Sequence, residues 1–383
     1  MTAANDPETQ SFRFDLREAN GALGDIGTLL PLMIGAIALV GLPASNVLLS
    51  FGLFYIATGL IYRLPIPVQP MKAIAAVALV SEVTPGAIAL SGVLIGLTLL
   101  ALGASGLIDR IARLVPQSVL SGLQLGLGLA LGWIAVNLMK DQVGIGLVSL
   151  GVAVAFLRFG AHAALATILS GITLGALFDP SGASGLVLPG VSVRPAGLPT
   201  LTDLRTAVTE LALPQLALTL TNAVFLTALL AQDSFGQRAE RVTPRRLCLT
   251  SGAANMFLAP FGALPMCHGA GGVAAHYRFG ARTGAAPIML GAALLIIALL
   301  PDHLRQIALA SIPSATLGAL LLVAAVELAA SRRLIDAMPS CRPVIAVTAL
   351  GTVFGNPLIG LIFGTLGELV RKRVVSRLKA SCR

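Results

Sequence analysis

Runs of about 20 mostly apolar residues, long enough to cross a bilayer as helices, follow one another along almost the whole chain and decide what it can fold into. Fourteen candidate spans can be read, several of them shorter than 20 residues. Seven lie at 21–41, 44–62, 66–80, 85–104, 116–137, 144–158 and 161–178. Seven more lie at 213–231, 246–260, 264–277, 284–300, 311–330, 342–354 and 356–371. Only 11% of residues are charged and 56% are hydrophobic, with mean hydropathy +0.89. A soluble domain carries about 25% charged residues. Too little polar surface is left to face water, so the chain is predicted to be an all-α integral membrane protein lodged in the lipid bilayer.

The charge that remains is sorted. Net charge is +9, yet the basic residues are scattered between apolar runs and are not gathered on one face with aromatics, so nucleic acid is not expected. With the N-terminus placed in the cytoplasm, 21 of the 26 basic residues fall in inside loops or the tail. Lys140, Arg194, Arg205 and Arg305 fall outside, and Lys72 falls within a span. This bias predicts a multi-pass protein of the inner (cytoplasmic) membrane with both termini cytoplasmic. Met1 to Asn20 is polar and does not read as a signal peptide. The four cysteines form no CxxC pair, and no GxxxxGK[ST] loop exists. A metal centre, a cofactor and an ATP-driven pump are therefore not expected.

The longest polar connection, 179–212, holds Pro180, Pro189, Pro195 and Pro199 and separates seven candidate spans from seven. Matches recur across it. Pro116 and Pro313 open similar segments 197 positions apart, and Pro70-Met71 and Pro265-Met266 do so 195 apart. Seven is odd, so the second half must start from the opposite side. The expectation is an inverted repeat: 1–178, an external linker 179–212, and 213–383 ending in a short basic cytoplasmic tail.

Spans 3 and 10 are anomalous. The first begins Pro65-Ile66-Pro67-Val68-Gln69-Pro70-Met71-Lys72 and the second Leu264-Pro265-Met266-Cys267-His268-Gly269-Ala270-Gly271-Gly272. Prolines forbid regular helix there, and helical sequence follows. Each reads as an extended strand entering a half-helix near mid-membrane, which is tolerated only where backbone is buried in protein or lines a cavity. A half-helix N-terminus offers unpaired N–H groups and about half a positive charge. Two facing each other make an anion site. Candidate substrate-binding residues are therefore Gln69, Met71, Lys72, Asn222, Cys267, His268 and Gly269. Lys72 either neutralises the anion or snorkels to the surface. Asp25 either relays a proton or caps a helix, and His268 is the second titratable candidate for coupling. Asn222 either contacts substrate or joins two helices.

These segments carry a resemblance. Gly21-Ala22-Leu23-Gly24-Asp25-Ile26-Gly27-Thr28, Pro67-Val68-Gln69-Pro70-Met71-Lys72, Leu213-Pro214-Gln215 through Asn222, and Phe261 through Gly272 on to Arg282 resemble the molybdate transporter family related to SulP-type sulfate transporters. The resemblance spans almost the whole chain. It implies a 7+7 inverted repeat of the SulP or uracil-transporter type. Spans 1–4 and 8–11 would form a core, spans 5–7 and 12–14 a gate, and substrate would sit between the half-helices. No cytoplasmic regulatory domain is expected after span 14.

The expected function is secondary active import of a tetrahedral oxyanion, molybdate first and sulfate second, with a coupling proton or sodium ion. Rival readings are a sulfate transporter or an anion channel on the same scaffold. An intramembrane enzyme finds no activated serine or metal cluster in the sequence. A homodimer is a further possibility.

Overall fold

The computed structural model describes residues 12–80, 83–112, 116–158, 163–178, 199–330, 334, 337–355 and 357–381. Most of the 179–212 connection, including Pro180, Pro189 and Pro195, lies outside the described residues, as do Arg113, Arg332 and Arg333. The rest is overwhelmingly helical. Among the described residues, four uninterrupted helical runs are long and apolar enough to cross a bilayer: Ala44–Tyr62, Pro85–Ser105, Gln117–Arg158 and Leu201–Arg241. Shorter apolar helices pack beside them.

Several boundaries differ from the sequence reading. Span 1 begins earlier and is broken: Leu16–Leu23 ends at Gly24, and Ile26–Val40 starts after Asp25. The Gly24 N–H bonds Gly21 O at 3.1 Å, so the break is a tight turn. Gln117–Met139 passes through one 3-10 turn, Lys140–Gln142, into Val143–Arg158. Such a run would measure about 63 Å if straight, twice the hydrocarbon core. The charged turn Lys140-Asp141 is where the run can leave the lipid. The helix read at 213–231 starts at Leu201, twelve residues earlier. It is wound as a π-helix at Ala207–Ala212 and again at Thr219–Leu226. Pro214 lies between these turns and removes one donor from the ladder. The last helix, Pro357–Ser381, outruns the span read there. Two helices, Leu107–Ala112 and Asp302–Ala310, lie where only connections were expected.

Two groups of helices sort themselves by packing. In the first, Ala44–Tyr62 lies along Ala285–Leu299, and Pro85–Ser105 along Pro244–Leu258. Both contacts are made through glycines. A Cβ on Gly52 would meet Leu295 at 2.8 Å and one on Gly96 would meet the Met256 backbone at 2.8 Å. In the second, Gln117–Met139 packs on Ser314–Ala329 and on Arg342–Phe354, which joins Pro357–Ser381. At one end Glu368, buried, accepts from Ser118 at 2.8 Å and from Arg371 at 2.6 and 2.8 Å. That locks the last helix to the start of Gln117–Met139.

Between the long helices of the first group lie two short strands, Gln69–Pro70 (β1) and Met266–Cys267 (β2). They pair antiparallel, Gln69 opposite Cys267 and Pro70 opposite Met266. Each leads into a nine-residue helix, Lys72–Val80 or Ala270–Arg278. The expected strand and half-helix units are both present, and they cross.

Candidate anion site

Local chemistry explains why the chain is extended at the crossing. Pro65, Pro67 and Pro70 lack N–H groups and push their predecessors out of the helical region. The strand therefore needs donors from elsewhere, and side chains supply them. His276 Nδ1 lies 3.1 Å from Pro65 O, and His268 Nδ1 lies 2.9 Å from Pro67 O. Because a carbonyl only accepts, each imidazole is protonated at Nδ1. Beyond the β1–β2 pair, the Met71 N–H reaches Pro265 O at 2.9 Å. On the far side of β2, the Asn255 carboxamide clamps Met266, accepting from its N–H at 2.9 Å and donating to its carbonyl at 2.6 Å.

Past the strands, nothing prevents helix. Lys72 opens the first half-helix. Gly269, extended at φ −151° and ψ 130°, caps the second. The leading N–H groups of each have no partner inside their own helix. At the first half-helix one of them is filled, since Ala73 N–H donates to Gln215 Oε1 at 2.8 Å and Gln215 donates onward to Thr219 at 2.9 Å.

Lys72 is buried and donates to Gln69 Oε1 at 2.8 Å, so it does not snorkel. Gln69 Nε2 donates to Asp25, whose second oxygen accepts from the Tyr55 hydroxyl at 3.2 Å. Asp25 stands at the first position before Ile26–Val40, yet its side chain makes no cap bond. The carboxylate is spent on the crossing instead. Gln69 lies over the second half-helix. A Cβ on Gly272 would come within 2.6 Å of Nε2, and one on Gly269 would strike Oε1. Gly269 and Gly272 are thus fitted to the Gln69 carboxamide, the close approach that only glycine permits.

His268 takes another direction. Its ring lies against a tilted Phe54 and meets Tyr62 edge-on, with centroids 5.3 and 5.5 Å away. Nε2 lies 2.9 Å from Thr250 Oγ1, which in turn lies 2.7 Å from the Tyr62 hydroxyl. Both ring nitrogens are therefore occupied by the helix core. Met71 is fully buried in that core, and Cys267 is buried beside Met266. Asn222 sits on the π-helical turn Thr219–Leu226, buried, and its Oδ1 has no partner among the described residues. The crossing thus unites Asp25, Gln69, Lys72 and Gly269. Cys267 lies on β2, and Met71 and His268 directly follow β1 and β2, all three with side chains in the packing, while Asn222 stands on the helical turn Thr219–Leu226.

Sequence reasoning missed Tyr55, Thr250, Asn255 and His276. Each is a lone polar group inside an apolar run, which is the available signal, but nothing in the sequence says which partner it meets. Gln215 entered the sequence reading only as part of the segment Leu213-Pro214-Gln215 through Asn222.

A small cavity of about 10 Å³ is lined by Gly24, Leu157, Ala275, Phe279 and Leu320 among others, next to the second half-helix. That is room for about one water, and the lining is apolar.

Comparison with known proteins joins this geometry to a family. A family model described as "Molybdate transporter of MFS superfamily" matches residues 17–131 and 207–328, more than half of the chain. Those segments contain both strands, both half-helices, Asp25 and Asn222. Molybdate transporter 2 of Arabidopsis thaliana is 29% identical over 93% of this chain and 87% of its own length. Molybdate transporter 1 of the same plant is 30% identical over 93% and 88%. Among solved structures, the transmembrane domain of the cyanobacterial bicarbonate transporter BicA aligns with TM-score 0.62 at 16% identity, covering 91% of this chain and 96% of that one. Murine solute carrier 26 member A9, an anion transporter in its inward-facing state, aligns with TM-score 0.67 at 15% identity, covering 97% and 70%. The fold is that of SLC26 and SulP transporters, and the chain is a multi-pass integral membrane protein. It belongs to the molybdate transporter family.

Proposed function

We propose that this protein is a secondary active transporter that imports a tetrahedral oxyanion, molybdate before sulfate, by alternating access. The observation that carries the reading is the antiparallel crossing, which brings the N-termini of Lys72–Val80 and Ala270–Arg278 together with a buried Lys72 between them. Aligned peptide dipoles, free N–H groups and one ammonium are what a dianion needs in a dry site. The names of the relatives point to the same substrate.

Packing supports the inverted 7+7 arrangement. The half-helices start 198 positions apart and have equal length. If span n corresponds to span n+7, the contact of spans 2 and 11 maps onto the contact of spans 9 and 4, and both are present. Spans 5 and 12, which correspond to each other, also pack together. This divides the molecule into a first repeat 1–178, the linker 179–212 and a second repeat 213–383.

Import must overcome the membrane potential. Moving a dianion against an inside-negative potential costs about 4.6 kcal/mol per 100 mV. A coupled proton is the first choice and sodium the second, with Asp25 as the acceptor in contact with the site. His268 is the weaker candidate, because its nitrogens face Pro67 and Thr250.

Purified protein in sealed vesicles should accumulate molybdate uphill, with saturation, when a proton gradient is imposed. Sulfate should compete. Flux that never saturates and never exceeds equilibrium would identify a channel, and preference for sulfate would reassign the substrate. Both termini are placed in the cytoplasm of a cell whose inner membrane holds the protein. A cysteine at Ser184 should accordingly react with an impermeant reagent applied to intact cells, and labelling only after lysis would reverse the orientation.

A further inference from the structure

At the crossing, an ammonium and a carboxylate are joined through an amide. Lys72 donates to Gln69 Oε1, and Gln69 Nε2 donates to Asp25. Tyr55 supplies the second donor to Asp25. All four residues are buried. The carbonyl end of the Gln69 amide also lies against Gly269, at the mouth of the second half-helix. A partly negative oxygen thus stands between Lys72 and a helix N-terminus, where the proposed site would place an oxygen of the substrate.

We infer that Gln69 is a built-in stand-in for the oxyanion and the relay that couples anion binding to proton uptake at Asp25. The inference rests on the transporter reading above. An incoming dianion takes Lys72 and the second half-helix away from Gln69 Oε1. The carboxamide turns, and Asp25 loses its donor and its link to Lys72. Before binding, Lys72 and Asp25 cancel. After binding, an ionised Asp25 would leave the site with two net negative charges in surroundings of low dielectric. A like charge nearby and the loss of a donor both favour the protonated acid. Asp25 then takes a proton from a hydronium ion or buffer acid in solution on the side from which the anion enters: the donor's bond to that proton breaks, leaving water or the buffer base, and one O–H bond forms on the carboxyl group. On release of the anion Gln69 Oε1 returns to Lys72, Nε2 returns to Asp25, and the O–H bond breaks to give the proton back. Linkage makes the coupling mutual, so the proton and the anion each strengthen the binding of the other.

The groups facing Asp25 are few. Tyr55 comes from Ala44–Tyr62, Gln69 from β1 and Lys72 from the first half-helix. Glu18, on the preceding helix, is turned to the backbone of Arg282 and Thr283. The helix Ser314–Ala329 packs on Ile26–Val40 and carries Glu327, whose side chain lies outside the described residues. Cys267 lies near Lys72.

The test is proton uptake on binding. Molybdate is added to purified protein in weakly buffered solution with a pH indicator, and binding is measured in parallel by calorimetry. The wild type should take up about one proton per bound molybdate. Asp25→Asn should take up none. Gln69→Ala removes the stand-in, so it should bind molybdate about threefold or more tightly. Its proton uptake should fall clearly below that of the wild type, because the loss of the Gln69 donor no longer accompanies anion binding and only the anion's charge remains to drive protonation of Asp25. A merely structural Gln69 would give the opposite pattern, weaker binding with an unchanged proton count, and would overturn the proposal. Should Asp25→Asn not fold, Gln69→Ala alone decides. Molybdate binding by the wild type without proton uptake would overturn the relay and leave the transporter standing. No binding of molybdate or sulfate would remove both.

Discussion

The two strand and half-helix units are alike in backbone and unlike in chemistry. The first is made by three prolines, carries Lys72 at its helix start, and has one leading N–H already filled by Gln215. The second is made by one proline and three glycines, carries no charge at its helix start, and keeps its two histidines turned to the packing, His268 against Pro67 and Thr250 and His276 against Pro65. One unit supplies charge and the other supplies bare backbone. A tetrahedral anion suits that division: an ammonium meets one oxygen, while glycine N–H groups approach the others without side chains in the way. Two charged units would hold a dianion too tightly to release it. Two bare ones would leave the dianion's charge to dipoles alone.

Removing the charge should do the most damage. Lys72→Ala should lower molybdate uptake about ten- to hundred-fold at equal amounts of folded protein, the worth of a charged hydrogen bond of about 1.5–3 kcal/mol. Lys72→Arg should recover only part of it, because a planar fork places its donors differently from a compact ammonium. Full activity of Lys72→Ala would show that the two units do not differ in the way described.

Filling the bare unit should come next. Gly269→Ala places a methyl on the Gln69 carboxamide. It should cost about 1–3 kcal/mol in strain and weaken molybdate binding more than it lowers the melting temperature of the detergent-solubilised protein. A loss of stability with unchanged affinity in the surviving protein would mean that Gly269 serves packing only.

The smallest effect on transport chemistry should come from His268. His268→Gln gives up the bond to Pro67 or the one to Thr250, so folded protein should fall by about 1–3 kcal/mol of stability. The pH dependence of uptake by the protein that folds should keep its shape. A changed pH profile would return His268 to the coupling machinery.

Much of this architecture could be read before any coordinates. Prolines and glycines speak for themselves, because Pro65, Pro67 and Pro70 exclude helix wherever they fall, and so the strand and half-helix units at 65–80 and 264–278 were legible. Lys72 was legible too, since a lone ammonium in an apolar run demands a partner. Partners themselves were not. Gln69 joins Lys72 to Asp25 across 44 positions of sequence, and the His268 nitrogens choose Pro67 and Thr250 over the site. Such choices depend on which way a side chain leaves a strand of two residues, where a shift of one register would turn it to the other face. The break at Gly24-Asp25 and the early start of the helix at Leu201 were hidden for a related reason. Apolar content decides that a segment enters the membrane, while hydrogen bonds such as Thr200 to Asp203 at 2.7 Å decide where its helix begins.

The central claim is that the anion sits between the two half-helix N-termini, with Lys72 on one side and the glycines on the other. Crystals grown with molybdate and measured at the molybdenum absorption edge locate the metal atom without ambiguity. The account predicts one anomalous peak within about 4–5 Å of both Lys72 Nζ and the leading N–H groups of Ala270–Arg278, the separation that charge-assisted hydrogen bonds to an oxyanion impose. Gln69 should be turned away from Lys72 in that structure. A peak elsewhere in the molecule, with the Lys72–Gln69–Asp25 line intact, would contradict the account.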